Sequence, residues 1–182
     1  MSDTDEVQVP AEQARALAII QLALLAGVFA YAVVVVILTR QPPAQTVVTE
    51  AALKNAQILS GANAFVALQC FGAAFFTFRM LSSPDRIRAA CPKTSDAAAL
   101  AEAGLNVLRA AIIVRAALLE APALFSLTVI FLSHGTGVLA EHSWVWLNLI
   151  PVLIFFGLSA ASFVTPERLQ ALLRERLAGL AA

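Results

Sequence analysis

Charged side chains are scarce in this chain of 182 residues. Asp, Glu, Lys and Arg together make up 13% of it, whereas apolar residues make up 60%. A soluble domain carries about a quarter charged residues, so this chain has too few to cover a water-facing surface. The 12 basic and 12 acidic residues cancel, which excludes a basic nucleic-acid-binding protein, and the apolar excess excludes a disordered chain. The composition predicts an integral membrane protein that is in contact with the lipid bilayer.

Cysteine is rare and catalytic motifs are missing. The two cysteines, Cys70 in an apolar run and Cys91 in a charged connection, exclude a disulfide scaffold and lack the spacing of a metal site. His134 and His142 belong to one short connection, where we expect them to be solvated, since a metal needs three or four converging ligands. The chain has no Ser-His-Asp or Cys-His arrangement and no phosphate-binding loop. We therefore expect no enzyme, no cofactor and no metal.

The N-terminal segment lacks the basic start of a secretory signal. Residues 1–15 are acidic, with Asp3, Asp5, Glu6 and Glu12, and the apolar run that follows exceeds twenty residues. A signal peptide combines a basic start with a shorter apolar stretch and a small-residue cleavage site. We expect residues 1–15 to form an acidic cytoplasmic tail and the following run to form an uncleaved transmembrane helix.

Four long apolar runs follow one another along the chain. A helix needs about 20 apolar residues to cross the hydrocarbon core of a bilayer. The runs predict an all-α bundle over residues 16–164, with transmembrane helices at about 16–39, 56–81, 105–133 and 143–164. Residues 165–182 have leucines at helical spacing and predict a short amphipathic cytoplasmic helix that lies on the inner leaflet or packs against a partner.

Basic residues are distributed unequally between the two sides of the predicted bundle. Cytoplasmic loops accumulate Lys and Arg. One side carries nine of the 12 basic residues, two (Arg40 and Lys54) lie on the other side, and Arg115 remains inside the third span. Both termini and the connection 82–104 are therefore predicted to be cytoplasmic.

Two stretches of the chain are similar to each other and suggest an internal repeat. Residues 19–38 read IIQLALLAGVFAYAVVVVIL, and residues 113–132, at an offset of 94, read IVRAALLEAPALFSLTVIFL. Residues 83–86 (SPDR) after the second span also match residues 165–168 (TPER) after the fourth. Both quartets have a Ser or Thr cap, a proline for the first helical position and an acid in the first turn. The pattern predicts two tandem helical hairpins, although spans rich in alanine and leucine also align by composition alone.

Glu120 is the acidic residue inside a predicted span, and its counterpart in the repeat is Ala26. It lies fifteen residues after Leu105, or about 22 Å along a helix, which places it near the middle of the membrane. An ionised carboxylate there costs at least about 2.5–3.5 kcal/mol, so we expect Glu120 to be protonated and hydrogen-bonded. Pro122 removes a backbone donor and is expected to kink or loosen the helix, with a freed carbonyl that could help to bind an ion.

Polar residues of the spans are the candidate partners of Glu120. Gln69 of the second span lies at a similar depth and is the preferred partner, and Asn63 lies about 9 Å farther out. Arg115 faces about 140° away from Glu120 on the same helix and is expected to extend toward the cytoplasm. Glu120, Gln69, Asn63 and Arg115 are therefore the candidate proton-carrying or ion-binding residues.

Residues 117–125 of the third span read ALLEAPALF. This stretch resembles a motif of an uncharacterised family of small bacterial four-helix membrane proteins, which implies a multi-pass protein of the bacterial inner membrane and no established activity. The span is also faintly similar to the carboxylate-bearing helix of rotary ATPase c subunits, and residues 40–42 (RQP) to a loop of those subunits. In this chain Glu120 lies on the first helix of its hairpin, glycine is scarce and the RQP stretch faces outward, so a c subunit is not expected.

Two functions are open on these grounds. The first is a non-catalytic assembly or structural subunit of a homo-oligomer or of a larger membrane complex, which the small size, short loops and lack of a catalytic set favour. The second is a proton- or cation-handling subunit that uses Glu120, with Gln69, Asn63 and the helix at Pro122 along the route.

Overall fold

The computed structural model describes residues 11–45, 47–90 and 97–181, and the regular elements in these ranges are helices. They are α1 (Ala11–Thr39), α2 (Glu50–Leu81), α3 (Pro84–Ala90), α4 (Ala97–Gly135), α5 (Val138–Glu141), a 3₁₀ segment (Ser143–Leu149), α6 (Ile150–Ala161) and α7 (Pro166–Ala181). The predicted all-α class is thereby confirmed. Most of the predicted acidic tail, and Cys91, lie outside the described residues.

The two short helices α3 and α7 begin where the sequence predicts. Pro84 and Pro166 are their first residues, a position at which the missing N–H of proline has no helical partner to lose. The Thr165 hydroxyl caps α7 by accepting the N–H of Arg168 at 3.3 Å. At the start of α3 the Ser83 carbonyl accepts the N–H groups of Arg86 and Ile87.

Two helices start earlier than the predicted spans. α2 begins at Glu50, six residues before the predicted span, and the residues Thr49-Glu50 do favour a helix start ahead of that span; the Thr49 hydroxyl caps the helix by accepting the Ala52 N–H at 3.1 Å. α4 begins at Ala97 rather than near residue 105, since its first residues are strong helix formers. Part of the predicted connection 82–104 is therefore helical.

The fourth predicted span starts as a 3₁₀ helix rather than as an α-helix. Pro151 has no N–H, so the Leu147 carbonyl cannot receive the bond that an α-helix would give it. The Ile150 N–H donates to that carbonyl instead, in the i→i−3 pattern of a 3₁₀ helix. α6 then ends at Ala161, three residues before the predicted end at Val164.

The chain divides into two compact units, and the first contains the described parts of residues 1–22, 74–116 and 162–182. Its apolar core joins the start of α1, the first half of α4 and α7 through Ala14, Leu17, Leu105, Leu108, Ile112, Val164, Leu169 and Leu173. α3 contacts α7 in the same unit. Leu169 and Leu173 of the amphipathic helix are buried in this core, so this part of the apolar face of α7 packs within its own chain.

The second unit contains the described parts of residues 23–73 and 117–161. Its buried side chains come from α1, α2, α4, α5, the 3₁₀ segment and α6, and include Val28, Val35, Ala67, Leu127, Ile130, Val138, Val145 and Phe155. Gly137 links α4 to α5 with a φ of +75°, and a Cβ there would lie 2.6 Å from the Gln45 carbonyl oxygen. Both the backbone conformation and the space therefore require glycine at this turn.

Four segments of the described chain are long and apolar enough to cross a membrane: Glu12–Thr39, Glu50–Leu81, Glu102–Gly135 and Ser143–Ala161. Large apolar side chains point outward along them, including Phe29 and Ile37 of α1, Phe65 of α2 and Leu153 of α6. So much exposed apolar surface is unfavourable in water and suits contact with lipid or with other apolar helices. The prediction of four apolar helices of spanning length is confirmed.

Candidate functional site

Buried amide and hydroxyl groups join three elements of the second unit. The group consists of Ser60 and Asn63 on α2, Ser126 on α4 and Asn148 on the 3₁₀ segment, and we call it the amide cluster. Asn63, Ser126 and Asn148 are 1%, 0% and 5% exposed. Polar groups buried among apolar helices are destabilising unless they are hydrogen-bonded. Each member of the amide cluster meets this requirement by bonding to another member.

In the amide cluster, each hydrogen bond has a defined donor and a defined acceptor. The Asn148 amide nitrogen donates to the Val145 carbonyl at 2.8 Å and to Ser60 Oγ at 2.9 Å. The Asn148 oxygen is thereby turned toward Asn63, whose amide nitrogen donates to it at 2.9 Å. Asn63 Oδ1 in turn accepts from the Ser126 hydroxyl at 3.1 Å. Because a carbonyl can only accept, Val145 determines the orientation of both amides.

Ser126 also connects the amide cluster to Pro122. Its Oγ lies 2.7 Å from the Pro122 carbonyl oxygen and 3.1 Å from Asn63 Oδ1, and one hydroxyl proton serves both acceptors. α4 continues as a helix through Pro122, which is buried. The proline removes the helical donor of the Leu118 carbonyl, whereas its own carbonyl is bonded to Ser126.

Each unit contains one further polar link between segments. In the second unit the Tyr31 hydroxyl lies 3.1 Å from Thr128 Oγ1. Thr128 donates its own proton to the Leu124 carbonyl at 2.9 Å, so Tyr31 is the donor to Thr128. In the first unit Gln21 Oε1 accepts the Val164 N–H at 2.8 Å. Val164 lies between α6 and α7, and Gln21 therefore satisfies a buried N–H outside any helix.

Glu120 lies on α4 and is partly buried. Among the residues that the structure describes, none makes a hydrogen bond or an ion pair with it. Gln69 on α2 is exposed, and within the same part of the chain it also has no hydrogen-bonding partner. The expected bond between these two side chains is therefore not made within one copy of the chain, and Asn63, the other expected partner, is bonded within the amide cluster.

Arg115 makes an aromatic contact. Its guanidinium carbon lies 5.1 Å from the centroid of the Phe78 ring, a cation–π geometry. Phe78 is near the end of α2 and packs against the core of the first unit. The side chain of Arg115 is thus directed to an aromatic ring of α2, in keeping with the expectation that it faces away from Glu120 on α4.

The structure brings together residues that were not among the candidates predicted from the sequence (Glu120, Gln69, Asn63 and Arg115). Asn63 is in that set, but its partners Ser126 and Asn148 are not. A signal for Asn148 was present, because it is the only amide side chain between Ser143 and Ala161, and a lone amide in an apolar helix has to find a polar partner. The identity of the partner depends on which faces of the helices pack against each other, and the periodicity of the sequence does not determine this packing.

The described residues offer no metal site, and comparisons with known proteins give no related protein from which a function could be inferred. Within the described ranges, no group of three or more His, Cys, Asp or Glu side chains is placed to hold a metal ion. No protein-family model, curated protein sequence or solved structure matches the chain. The resemblance of residues 117–125 to a bacterial family therefore stays a prediction, and the function rests on the geometry of the chain's own residues.

Proposed function

We propose that the protein is a non-catalytic, multi-pass membrane protein that serves as an assembly or structural subunit of a homo-oligomer or of a larger membrane complex. One observation carries the proposal: Glu120 belongs to an apolar helix of spanning length, and nothing in the described chain pairs with its carboxyl. Hydrocarbon solvates a carboxyl poorly, so a stable position requires a hydrogen-bonding partner. In this proposal, the partner that the described residues do not supply belongs to another polypeptide.

The other polar groups of the apolar helices support a structural role. The amide cluster bonds α2, α4 and the 3₁₀ segment to one another, and a fully satisfied network of this kind holds helices in one arrangement. None of its hydrogen bonds reaches Glu120. The described residues therefore contain no continuous polar route from the Glu120 carboxyl to Asn63.

The proposed protein lies in the bacterial inner membrane as two tandem hairpins, with both termini and α7 in the cytoplasm. The excess of Lys and Arg on one side supports this orientation. α3 and α7 support the repeat, since each begins at a proline after a Ser or Thr and each follows an even-numbered candidate span. The two short helices also contact each other, as equivalent ends of two hairpins would.

A proton- or cation-handling subunit is the second candidate, and the partial exposure of Glu120 favours it. A carboxyl that is open on one side and free of a partner is able to exchange protons. The two functions make different demands on the side chain. Assembly requires a group that forms hydrogen bonds, whereas ion handling requires a group that ionises.

Substitution of Glu120 distinguishes the two functions. Glu120→Gln keeps the hydrogen-bonding capacity but removes the ionisation, and Glu120→Ala removes both. For an assembly subunit, native mass spectrometry of protein in lipid nanodiscs should show that Glu120→Gln keeps the complex. Glu120→Ala should weaken association by about 0.6–2 kcal/mol, the range for a polar contact between membrane helices.

A matched control is Glu141→Ala, which removes an exposed acid outside the four apolar segments and should leave association unchanged. An ion-handling subunit would instead lose proton or cation flux in vesicles on Glu120→Gln while its assembly persists. It would also react at Glu120 with a hydrophobic carbodiimide. Association that is equal in Glu120→Ala and in the unsubstituted protein contradicts the assembly proposal.

A further inference from the structure

Glu120 and Gln69 lie at the same height along their helices. Asn63 on α2 and Ser126 on α4 are hydrogen-bonded and therefore mark a common level. Gln69 is six residues after Asn63, and Glu120 is six residues before Ser126, a displacement of about 9 Å along each helix. α2 and α4 are the second and third candidate spans, and successive spans cross a membrane in opposite directions. Both displacements therefore lead toward the same side of the membrane.

The two side chains nevertheless lie on opposite flanks of the α2–α4 pair. Six residues rotate a side chain by about 120° from the facing direction that Asn63 or Ser126 occupies. Both helices are right-handed, so they rotate in the same sense when followed toward the same membrane side. Starting from two directions that face each other, equal rotations lead to opposite flanks. This explains why Gln69 is exposed and why no bond to Glu120 forms within one copy.

The chemistry of the two groups is complementary. A protonated carboxyl donates its O–H to an amide oxygen and accepts an amide N–H on its other oxygen, so a glutamate and a glutamine can form two parallel hydrogen bonds. A small residue lies one turn from each group: Ala117 of α4, three residues before Glu120, is exposed, and Gly72 of α2, three residues after Gln69, is exposed with open space where a Cβ would be. Small residues at these positions allow the close helix approach that so short a pair of side chains needs.

From this geometry we propose that copies of the chain assemble side by side into a closed ring, in which Glu120 of one copy pairs with Gln69 of the next. The inference rests on the proposed assembly function and names its partner as a second copy of this chain. Contacts between two different flanks are heterologous, and in the proposed ring each copy is rotated from the one before it so that the row of copies closes. A two-fold dimer would instead place like flanks together, so the ring contains three or more copies about an axis along the membrane normal.

Cross-linking between tagged copies tests the ring. Two full-length chains with different tags are expressed together, one with Gln69→Cys and the other with Glu120→Cys, both in a Cys70→Ser, Cys91→Ser background. Oxidation in the membrane should produce a dimer that carries both tags. The control Gln57→Cys lies on the exposed part of α2, about 18 Å from Gln69 along the helix, and should give no dimer with Glu120→Cys.

A double-substitution cycle provides a second measurement that does not depend on cysteine. Glu120→Ala and Gln69→Ala should each lower the association constant in detergent micelles by about 3- to 30-fold, the equivalent of a polar contact between membrane helices. If the two groups pair, the double variant should be no weaker than the weaker single variant. Glu120→Ala combined with Gln57→Ala should match Glu120→Ala alone.

The outcomes separate this inference from the function on which it rests. Dimers that form only between two Glu120→Cys chains, or only between two Gln69→Cys chains, show a two-fold contact and overturn the ring, while assembly stands. Additive effects of Glu120→Ala and Gln69→Ala overturn the pairing in the same way. Recovery of Glu120-dependent complexes with a different protein, without cross-links between copies, also overturns the ring but preserves the assembly function.

Discussion

At the scale of single residues, the amide cluster shows how one backbone carbonyl orders several side chains. Val145 accepts from Asn148, and this fixes which atom of Asn148 faces Asn63 and which atom of Asn63 faces Ser126. If the side-chain amide of Asn63 or Asn148 were rotated by 180°, two acceptors or two donors would face each other. The cluster therefore favours one arrangement of the three elements that carry it.

Asn148→Ala is expected to destabilise the protein by about 1–3 kcal/mol, because it leaves the buried Asn63 amide nitrogen without its acceptor and also removes the bond to Ser60. The free energy of unfolding, measured by titration of a mild detergent with a denaturing one, checks this. Asn106→Ala is the control, since Asn106 is exposed on α4 and its removal should change the free energy by less than about 0.5 kcal/mol. Equal losses in the two variants would contradict the structural role of the amide cluster.

Thr165 acts on the ionisation of Glu167 at the start of α7. The backbone N–H of Glu167 and the Thr165 hydroxyl donate to the Glu167 carboxylate, and these bonds hold the pKa of Glu167 below its usual range. A lowered pKa in the folded state stabilises the fold at pH values above the ordinary glutamate pKa. This stabilisation is lost as the pH falls through the lowered pKa of the folded state.

Thr165→Ala should therefore raise the pKa of Glu167 toward the ordinary glutamate value, while Thr165→Ser, which keeps the hydroxyl, should not. Titration of the Glu167 carboxyl carbon by NMR in micelles measures the pKa directly. The alanine variant should also fray the first turn of α7, because the hydroxyl that accepts the Arg168 N–H is lost. A Glu167 pKa that is the same in the alanine and serine variants would show that the hydroxyl has no effect.

At the scale of elements, proline and glycine decide how the helices begin, change and end. Pro151 withholds one N–H, and at the end of the 3₁₀ segment the Leu147 carbonyl accepts the Ile150 N–H instead. Pro122 stands inside α4 without ending it. The difference follows from position: Pro122 has a full helix on both sides, whereas Pro151 is the second residue of α6.

Gly137→Ala is expected to destabilise the turn between α4 and α5 by about 1–3 kcal/mol, the usual cost of a strained backbone conformation. The added Cβ would meet the Gln45 carbonyl oxygen at 2.6 Å, and the φ of +75° suits glycine. Gly135→Ala, two residues earlier, is the control, because a Cβ there meets nothing within 4 Å. Thermal unfolding in detergent should show a lower midpoint for Gly137→Ala than for Gly135→Ala.

At the scale of the whole molecule, the distribution of basic residues and the four apolar segments together predict the orientation in the membrane. The excess of Lys and Arg predicts that α3 and α7 are cytoplasmic and that α5 lies on the opposite side. Exposed positions on these elements report the orientation best. Gly137 is unsuitable for a probe because a side chain there is strained.

Single-cysteine labelling checks the orientation with two matched alanines, both exposed: Ala140 on α5 and Ala171 on α7. In a Cys70→Ser, Cys91→Ser background, a membrane-impermeant maleimide added to intact cells should label Ala140→Cys and spare Ala171→Cys. After permeabilisation both should react, which verifies that both thiols are accessible. The opposite pattern in intact cells would place the termini outside.

The composition and the local pattern of residues predicted much of the architecture. Long apolar runs gave the four helices of spanning length, and the Ser/Thr-Pro pairs gave the starts of α3 and α7. The early start of α4 and the 3₁₀ segment were not predicted. The start of α4 depends on helix propensity, and the 3₁₀ segment depends on single backbone hydrogen bonds. Both lie at the borders of apolar runs, where hydropathy does not predict the type or the start of a helix.

The candidate site was predicted only in part. Glu120 was singled out because hydrocarbon disfavours a carboxyl, which is a property of one residue in its own helix. The bond of Asn63 to Asn148, the position of Arg115 over Phe78 and the separation of Gln69 from Glu120 involve pairs on different helices. By itself the sequence determined the four apolar helices and which polar groups need partners, because both follow from local chemistry. Only the tertiary structure decided which groups meet, because the rotation and register of each helix are set by packing against its neighbours.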